Sequence, residues 1–471
     1  MISRRNFISS GSLGLAGLGV LANAQLRADE PEIKVMASPE TNPDRELWEK
    51  EGKPIRAGVI GTGWYGKSDV FRLIQCGGEK VEVAALCDVD GEILAEAGRL
   101  VAERQASKKV PNLYRDYREM LANEKLDVCL IATPDHWHAL PAIAAMEAGC
   151  DLYLQKPIGV DVIECAAMWK TARRLNRVVQ VAMQRRSTPI LIDAKKRYLD
   201  SGEIGTVHYV NTYCMHGRRH SAIMQPETPP ASLDFDLWLG PAPKNPYYRS
   251  LRRGWRSFMD YGNGQVGDMG VHMLDMARWL LNLGWPKRIT SNGGRYGFPD
   301  STTTIPDTQS ARFDFENLTM EWHHRAWGEV EDRRLYWATE ILGTNGKLRA
   351  NSTACDFKYY GKPWQMVNAA KEFDRYPSDE TEPGLEVYVA GANRAHMWNF
   401  LARIVDRGRP VSDIEEGYIS ASCCILANVS LAMNGAVLEW DPENICVKND
   451  PEANKLLARP YRAPWKHPEI G

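Results

Sequence analysis

The chain has 471 residues, of which 44% are hydrophobic and 25% charged, as in an ordinary soluble globular protein with room for two domains. A formal net charge of -2 argues against nucleic acid, or an anionic membrane surface, as the main partner. The ten cysteines include no C-x-x-C pair and mostly fall in predicted buried strands and helices, so neither a cysteine zinc site nor a disulfide framework is expected.

The first 24 residues have the parts of an export signal in the right order. Arg4 and Arg5 form a twin arginine, residues 8–21 are mildly apolar and rich in glycine, and residues 22–24 form a small-residue cleavage site. The apolar run is too short and too rich in glycine for a stable membrane span. We therefore predict a twin-arginine signal peptide at residues 1–24 and a periplasmic or otherwise exported protein, against the alternative of a disordered basic start.

Residues 25–54 are polar, contain prolines and lack clear periodicity, which predicts a linker or arm. Residues 55–60 are a short apolar run that predicts a buried strand, and they lead into Gly61-Thr62-Gly63-Trp64-Tyr65-Gly66. In this pattern the first glycine permits a tight turn, the second lets the backbone approach a pyrophosphate, and the third lets the next helix pack close to the strand. A helix at about residues 67–75 would direct its free N–H groups at the phosphates.

The next strand, at residues 81–87, ends at Asp88, about 20 residues beyond the last glycine. A carboxylate at this position accepts hydrogen bonds from the adenosine ribose and repels a 2′-phosphate. Strand, glycine-rich turn, helix, second strand and acid occur in order. The pattern therefore predicts a bound dinucleotide, and NAD rather than NADP.

Helices and strands continue to alternate up to residue 183. Helices are expected at residues 91–104, 117–122, 139–148 and 162–175, and strands at 128–132, 151–154 and 178–182. This alternation predicts an α/β Rossmann domain with a doubly wound parallel sheet at residues 55–183.

A different pattern covers residues 184–440. Alternating apolar runs appear at residues 207–213, 309–315, 318–323 and 335–342, and Asn345-Gly346 predicts a hairpin turn between Ile341 and Leu348. Helices are expected up to about residue 199 and at 392–406 and 415–433. This region is predicted to be an α+β domain with a large, mainly antiparallel sheet, which binds the substrate, and residues 441–471 a C-terminal arm.

Three side chains are candidates for chemistry. Lys156 follows the strand at residues 151–154. Because the carboxyl ends of parallel strands line the ligand crevice, this lysine is expected beside the nicotinamide. There it can form a hydrogen bond with a substrate hydroxyl. That Lys156 is instead a surface lysine at the start of a helix is an equally supported alternative.

Asp268 and His272 lie four residues apart on one helix face, which suits an acid/base histidine oriented by a carboxylate. A capping aspartate with a core histidine is favoured by the spacing alone.

Candidate metal ligands by residue type are His136, His138, His216, His220, His323 and His324. No carboxylate or cysteine completes a ligand set at a convincing spacing, so no metal is expected. Arg185 and Arg186 follow the last strand of the first domain. They can reach substrate oxygens, or equally stay in solvent or pair with a helix.

Taken together, the motifs resemble those of the glucose-fructose oxidoreductase, inositol dehydrogenase and rhizopine-catabolism (Gfo/Idh/MocA) family, in its exported twin-arginine subgroup. The resemblance covers about residues 55–440 and rests on Gly61-x-Gly63-x-x-Gly66, Thr133-Pro134 with His138, Lys156-Pro157 and Asp268-x-Gly270-x-His272-x-x-Asp275. It implies an NAD(P)-dependent oxidoreductase acting on a sugar, sugar derivative or polyol. The cofactor-binding residues it implies are Gly61, Gly63, Trp64, Tyr65, Gly66, Asp88, Thr133, Pro134, His138 and Lys156.

The same resemblance implies a catalytic group of Lys156, Asp268 and His272. His272 would accept the hydroxyl proton, Lys156 would orient that oxygen, and Asp268 would position the substrate or support His272. The chain departs from the family at Gln155, where a glutamate is usual, so a charge is missing beside Lys156.

Further implications concern the cofactor and assembly. An exported enzyme has little free NAD to exchange, so the cofactor is expected to be held tightly and regenerated in each cycle. The sheet of the second domain implies a homo-oligomer, a dimer or a tetramer. Two rival functions remain open. One is glycoside hydrolysis through transient oxidation of the sugar, as in some exported relatives, and the other is sugar or nucleotide binding without catalysis.

Overall fold

The computed structural model describes residues 32–215, 222–330, 332–381 and 386–470. The predicted signal peptide at residues 1–24, and the pair His216 and His220, therefore lie outside the described residues. Within the described ranges, no helix has the length and apolarity needed to cross a membrane.

The segment before the glycine-rich turn, expected to be a linker or arm, contains two regular elements. These are strand β1 (Ile33–Met36) and helix α1 (Pro43–Glu51). The side chain of Asn42 accepts a hydrogen bond from the backbone N–H of Arg45 and so caps α1, with Pro43 in its first turn. The indole of Trp48 is buried and donates to the carbonyl of Gly77. This arm is therefore packed onto the folded domains.

The first domain is built on a six-stranded parallel sheet with strand order β4-β3-β2-β5-β6-β7. Its strands are β2 (Ile55–Ile60), β3 (Val81–Cys87), β4 (Asn112–Tyr114), β5 (Val128–Ile131), β6 (Asp151–Leu154) and β7 (Val179–Val181). The predicted doubly wound sheet is confirmed. Strand β4 was not predicted, because its three residues are largely exposed and form no apolar run.

Helices cover both faces of this sheet. They are α2 (Trp64–Gly77), α3 (Gly91–Arg104), α4 (Tyr117–Asn123), α5 (Ala139–Glu147) and α6 (Val162–Arg174). Aspartates cap three of them: Asp90 starts α3, Asp116 starts α4 and Asp161 starts α6. Helix α2 begins three residues earlier than expected, so its free N–H groups follow directly on the second glycine of the turn.

The second domain contains most of an eleven-stranded sheet. Its strands are β8 (Val207–Met215), β9 (Arg288–Gly294), β10 (Thr308–Asp314), β11 (Thr319–Arg325), β12 (Trp337–Gly343), β13 (Gly346–Ala350), β14 (Ala354–Tyr359), β15 (Gln365–Ala369), β16 (Leu438–Asp441) and β17 (Cys446–Val447). The remaining helices are α7 (Pro189–Ala194), α8 (Phe235–Leu239), α9 (Leu251–Gly254), α10 (Val271–Leu280), α11 (Ser378–Thr381), α12 (Ala390–Asp406), α13 (Ile414–Ala432) and α14 (Pro451–Asn454).

The strand order of this sheet is β1-β15-β14-β13-β12-β8-β11-β10-β9-β16-β17. Pairing is antiparallel except between β1 and β15 and between β8 and β11. The predicted hairpin is confirmed, since Ile341 on β12 faces Leu348 on β13. The predicted fold class, a Rossmann sheet followed by a mainly antiparallel α+β domain, is confirmed as well. Strand β9 was not predicted because its sequence, RITSNGG, has a single large apolar residue.

Helix α13 joins the two domains. It packs against α6 and β7 of the first domain and against β9 and α10 of the second. A side chain at Gly417 on α13 would meet Val181 and Ile158, so this helix lies directly on the end of the parallel sheet. The contact fixes α10 relative to the strand ends of the first domain.

The last residues cross back over the first domain. Asp161 accepts from the backbone N–H of Arg459 at 2.9 Å and contacts His467 at 2.8 Å, and the Tyr461 hydroxyl donates to Glu164. Arg459 also donates to the carbonyl of Gly262 at 3.0 Å. Residues 459–467 thus fasten the start of α6 to a loop of the second domain.

Candidate active site

The turn at residues 61–66 lies at the carboxyl end of the parallel sheet. Gly61 has a φ of 89°, and a Cβ there would lie 2.6 Å from the backbone of Ala132. A Cβ at Gly66 would collide with the carbonyl oxygen of Gly61, whereas a Cβ at Gly63 would meet nothing within 4 Å. The turn therefore presents open backbone at Gly63, followed by the N-terminus of α2, as a pyrophosphate site requires.

A cavity of about 1140 Å³ extends from this turn between the two domains. Its wall includes nine of the ten cofactor-binding candidates, while Gly66 packs behind the turn. The nine are Gly61, Gly63, Trp64, Tyr65, Asp88, Thr133, Pro134, His138 and Lys156.

Asp88 is occupied mainly with holding the turn. Its Oδ2 accepts from the backbone N–H of Thr62 at 2.7 Å and from the Thr62 hydroxyl at 3.1 Å, and its Oδ1 accepts from the N–H of Asp90 at 3.0 Å. Burial raises the pKa of this carboxyl. A carboxylate accepts about four hydrogen bonds, so one position remains for a ribose hydroxyl.

His138 holds two strand ends together. Its Nδ1 lies 2.6 Å from the carbonyl oxygen of Pro157, and its Nε2 lies 2.9 Å from that of Thr133. Burial lowers the pKa of His138 to about 4, so the ring is neutral. Since both nitrogens face protein carbonyls, His138 shapes the cavity wall, and the buried Thr133 hydroxyl, which has no hydrogen-bond partner among the described residues, is the freer polar group.

The structure brings Lys156 and Asp268 into contact. The Nζ of Lys156 donates to Asp268 Oδ1 at 2.7 Å and to the Asp268 carbonyl oxygen at 2.9 Å. Arg256 approaches the same carboxylate oxygen at 3.4 Å. Both members of the pair are largely buried, and Lys156 lines the cavity at the end of β6. The lysine is therefore a pocket residue held by a carboxylate, and not a surface residue at a helix start.

His272 lies on α10 and is buried, but its partner is Arg185 and not Asp268. Arg185 Nη1 lies 2.7 Å from His272 Nδ1, and its guanidinium stacks 4.3 Å from the ring centre of Trp337. Burial, then the charges of Arg185 and Lys156, lower the pKa of His272 well below its usual value. A guanidinium only donates, so Nδ1 is the acceptor and the ring hydrogen lies on Nε2.

The neighbouring Arg186 has a structural role. It forms a two-bond ion pair with Asp275, at 2.8 and 2.9 Å, and also contacts Glu416 on α13. Both arginines are buried, so neither stays in solvent. Arg186 ties α10 to α13, and Arg185 touches the catalytic candidate.

Gln155 turns away from Lys156. Its amide donates to Asp69 Oδ2 on α2 at 2.7 Å. Asp69 is buried, and this burial raises the pKa of its carboxyl to about 7. The acid that is missing at position 155 is thus replaced, one hydrogen bond away, by an acid on the helix that follows the glycine-rich turn.

This carboxyl predicts a pH-dependent effect of Asp69→Asn. Between about pH 4 and pH 7 the folded state holds a proton that the unfolded state releases, so the free energy of unfolding falls as pH rises. The asparagine of the variant does not titrate, so this decrease in the free energy of unfolding is absent from the variant. We expect it to be more stable than the wild type at about pH 8, by up to about 4 kcal/mol, and nearly equal at about pH 4. Denaturant unfolding at both pH values measures the difference, and an equal change at both would contradict the assignment.

A segment of the second domain closes the adenosine side of the cavity. We call residues 227–263 the wall segment. It contains its own apolar cluster, which includes Trp238, Tyr247 and Trp255. It is joined to the end of β3 because the N–H of Gly91 donates to the carbonyl of Ser232 at 2.9 Å.

Two further contacts complete this junction. The N–H of Asp234 donates to the carbonyl of Val89 at 3.0 Å, and Arg252 forms an ion pair with Asp90. The strands and helices expected from the sequence include none within the wall segment. No local pattern in it indicates that it covers the first domain.

The candidate histidines that the structure describes, at positions 136, 138, 323 and 324, do not combine into a ligand set. On β11, His323 bonds Glu321 while His324 is buried on the other face of the sheet, so the two cannot share an ion. One group in the described ranges, Asp161, Glu164 and His467, brings three possible ligand atoms within 4.8 Å of one another. These atoms already bond to each other or to the C-terminal residues, which explains their proximity without a metal.

Comparison with known protein families identifies both domains. Residues 55–183 match the model of the oxidoreductase family, NAD-binding Rossmann fold, and residues 208–290 match that of the C-terminal alpha/beta domain of the same family. The two matched domains are those of the Gfo/Idh/MocA oxidoreductase family, which confirms the family named from the motifs. The first domain is therefore an NAD-binding Rossmann domain.

Two curated relatives show how far the similarity extends. Levoglucosan dehydrogenase of Pseudarthrobacter phenanthrenivorans is 29% identical over 284 residues, which is 55% of this chain and 64% of that protein. Glycosyl hydrolase family 109 protein 1 of Shewanella sp. (strain ANA-3) is 31% identical over 183 residues, 37% of this chain and 38% of its own. The alignments thus span less than two thirds of these relatives.

Solved structures share the fold. Levoglucosan dehydrogenase in complex with NADH and levoglucosan has a TM-score of 0.63 and 21% identity, covering 82% of this chain and 99% of that one. An inositol dehydrogenase homologue from Azotobacter vinelandii, complexed with NADH and myo-inositol, has a TM-score of 0.60 and 19% identity. The match covers 82% of this chain and 98% of the homologue. Both domains of this chain therefore have the arrangement seen in these dehydrogenases.

Proposed function

We propose that this protein is an NAD-dependent oxidoreductase that transfers a hydride between a sugar, sugar derivative or polyol and NAD bound in the cavity. The observation that carries the proposal is the buried Lys156–Asp268 pair at the end of β6, whose lysine lines the same cavity as the glycine-rich turn. Levoglucosan dehydrogenase and the inositol dehydrogenase homologue, to which this chain is similar, are sugar and polyol dehydrogenases by name, which supports the substrate class.

The cavity fits a dinucleotide. The open backbone at Gly63 and the N-terminus of α2 would hold the pyrophosphate, the spare acceptor of Asp88 the adenosine ribose, and the Thr133 hydroxyl a polar group further along. When bound, NAD supplies the hydride acceptor. The catalytic role of the chain itself is to hold and deprotonate the substrate hydroxyl.

Two groups share that role. Lys156 has three N–H donors and uses two on Asp268, so one remains for the substrate oxygen. With its hydrogen on Nε2, His272 cannot accept a proton at that nitrogen. Acceptance at Nε2 requires the tautomer with the hydrogen on Nδ1, and Arg185 then has to move away from Nδ1. We therefore propose that Lys156 holds the substrate oxygen and that His272 takes the proton once Arg185 has moved.

The first test concerns the cofactor. Because the wall segment is fastened to β3, we expect the purified protein to release about one NAD per chain on denaturation, without added nucleotide. Adding myo-inositol, glucose or levoglucosan to the folded protein should reduce this bound NAD, seen as the absorbance of the reduced nicotinamide. An empty protein that binds NAD weakly would instead indicate an exchangeable cofactor, and bound NAD that no sugar reduces would contradict the proposed activity.

A variant of the junction sharpens this test. Arg252→Ala removes the ion pair with Asp90, and we expect exchange of bound NAD for labelled NAD to accelerate by about tenfold, which corresponds to ~1.4 kcal/mol. Lys244→Ala is the matched control, since Lys244 is exposed on the wall segment and its ion-pair partner, Asp236, lies in the same segment. Equal exchange in both variants would show that the junction does not retain the cofactor.

A second candidate function is glycoside hydrolysis with no net redox change, through transient oxidation of the sugar. It is favoured by the 31% identity to proteins named glycosyl hydrolase family 109, which covers only 37% of this chain. Analysis of the products formed from a glycoside separates the two reactions.

We also propose that the protein is exported by the twin-arginine pathway and forms a homo-oligomer. Arg4 and Arg5, followed by an apolar segment and a small-residue site, support export. The half-buried outer face of the large sheet supports association. Cell fractionation of the full chain and light scattering of the purified protein test the two proposals.

A further inference from the structure

Arg256 is a cavity residue that neither the motifs nor the proposed catalytic group includes. It lies on the short turn Trp255–Ser257 of the wall segment and lines the cavity. Its Nε lies 3.4 Å from Asp268 Oδ1, the same oxygen that accepts from Lys156 Nζ at 2.7 Å. Arg256 is therefore separated by a single carboxylate from the lysine that is proposed to hold the substrate oxygen.

The guanidinium of Arg256 is held in place but has donors to spare. Its central carbon lies 4.2 Å from the ring centre of Trp255, which is buried in the apolar cluster of the wall segment. Its two Nη atoms make no hydrogen bond with any residue that the structure describes, and the side chain is 28% exposed. A guanidinium carries its N–H donors in a rigid planar fork. The N–H groups of both Nη atoms are therefore available to a ligand in the cavity.

This part of the cavity wall carries more positive than negative charge among the described residues. Lys156 and Arg256 share the carboxylate of Asp268. A further acid of the wall, Asp135, is 4% exposed, and burial raises the pKa of its carboxyl well above the ordinary value. An anionic group on the ligand would balance the excess charge. The planar fork of an arginine binds a carboxylate through two parallel hydrogen bonds.

We propose that Arg256 binds a carboxylate of the substrate, and that the substrate is a sugar acid such as a hexuronate. This inference rests on the proposed oxidoreductase function and narrows its substrate class. Lys156 holds the hydroxyl that is oxidised, while the fork of Arg256 holds the carboxylate. Neutral sugars lack the second contact, so they use the same cavity with a higher KM. The other anion expected in the cavity is the pyrophosphate of NAD, for which the glycine-rich turn provides a site of its own.

The test compares two hexuronates, glucuronate and galacturonate, with their amides, which have the same shape without the charge. We expect KM of the wild type for bound-NAD reduction to be about 10- to 100-fold lower for the better hexuronate than for its amide, the range for hydrogen bonds to a charged group. Arg256→Met removes the fork, so KM for the hexuronate should rise to that for the amide. Lys244→Met, on the exposed surface of the wall segment, is the matched control and should keep the preference. Equal KM values for acid and amide in the wild type would overturn the inference, whether or not the variant folds.

Direct binding separates this inference from the proposed reaction. If no sugar, acidic or neutral, reduces the bound NAD, the proposed function fails, and calorimetric titration of the NAD-loaded protein with the two hexuronates then decides. Binding that Arg256→Met weakens by about tenfold or more supports the role of Arg256, and binding that is absent or unchanged overturns it. If Arg256→Met instead loses its NAD on dialysis and keeps the preference for hexuronates, the guanidinium binds the cofactor phosphates, which also overturns the inference.

Discussion

Lys156→Ala is expected to lower turnover by more than about 100-fold, the lower end of the effect of removing a general acid/base group. The Nζ of Lys156 is held by two bonds to Asp268 and has one donor left for a substrate oxygen inside the cavity. Alanine removes that donor and leaves Asp268 with Arg256 as its nearest cation. The rate of bound-NAD reduction in a single turnover measures the effect.

Because Lys156 is buried, its loss can also disturb folding. The amount of NAD retained after purification and the unfolding midpoint report on this separately from turnover. Lys196→Ala serves as the control, since Lys196 is exposed on the helical turn at residues 195–200. Near-normal turnover in Lys156→Ala would remove this lysine from the catalytic group.

The second large effect is expected for His272→Ala, again a loss of more than about 100-fold. The wild-type ring is buried on α10 against Arg185, and alanine leaves no imidazole there to accept the substrate proton. Turnover that falls less than tenfold would assign proton transfer to Lys156 alone.

A companion variant, Arg185→Met, tests whether His272 acts by proton transfer or only by its packing in the fold. Arg185 lowers the pKa of His272, so its removal raises that pKa. A protonated His272 cannot accept a proton, so the fall in rate on acidification should begin at higher pH in the variant. Arg197→Met, on an exposed helix surface, should leave the pH profile unchanged. An unaltered profile in Arg185→Met would show that His272 does not titrate in the reaction.

The parts of the site that could be predicted from the sequence are those that a local pattern of neighbouring residues indicates. The glycine-rich turn, Asp88 and Lys156 each follow a predicted apolar strand, and the carboxyl ends of parallel strands meet at one edge. Their positions could therefore be placed together before the structure was known. The same argument explains why β4 was not predicted, since its short, exposed strand has no apolar pattern.

The remaining contacts join residues that are far apart in the chain. Spacing placed Asp268 and His272 on one face, yet Asp268 bonds Lys156 and His272 bonds Arg185, 87 residues away. The partner of Gln155 is likewise 86 residues away, on α2. No periodicity in a single sequence encodes such pairs, because they depend on how elements that are distant in the chain pack against each other in the fold.

The C-terminal residues have a consequence for the order of events in the cell. Arg459 bonds Asp161 on the first domain and Gly262 in the wall segment, and Arg462 bonds Asp236 in the same segment. A ribosome makes these residues after the two domains that they join. This additional fastening of the wall segment is therefore added only after both domains have been made, which gives a dinucleotide an interval to enter the crevice before these contacts form.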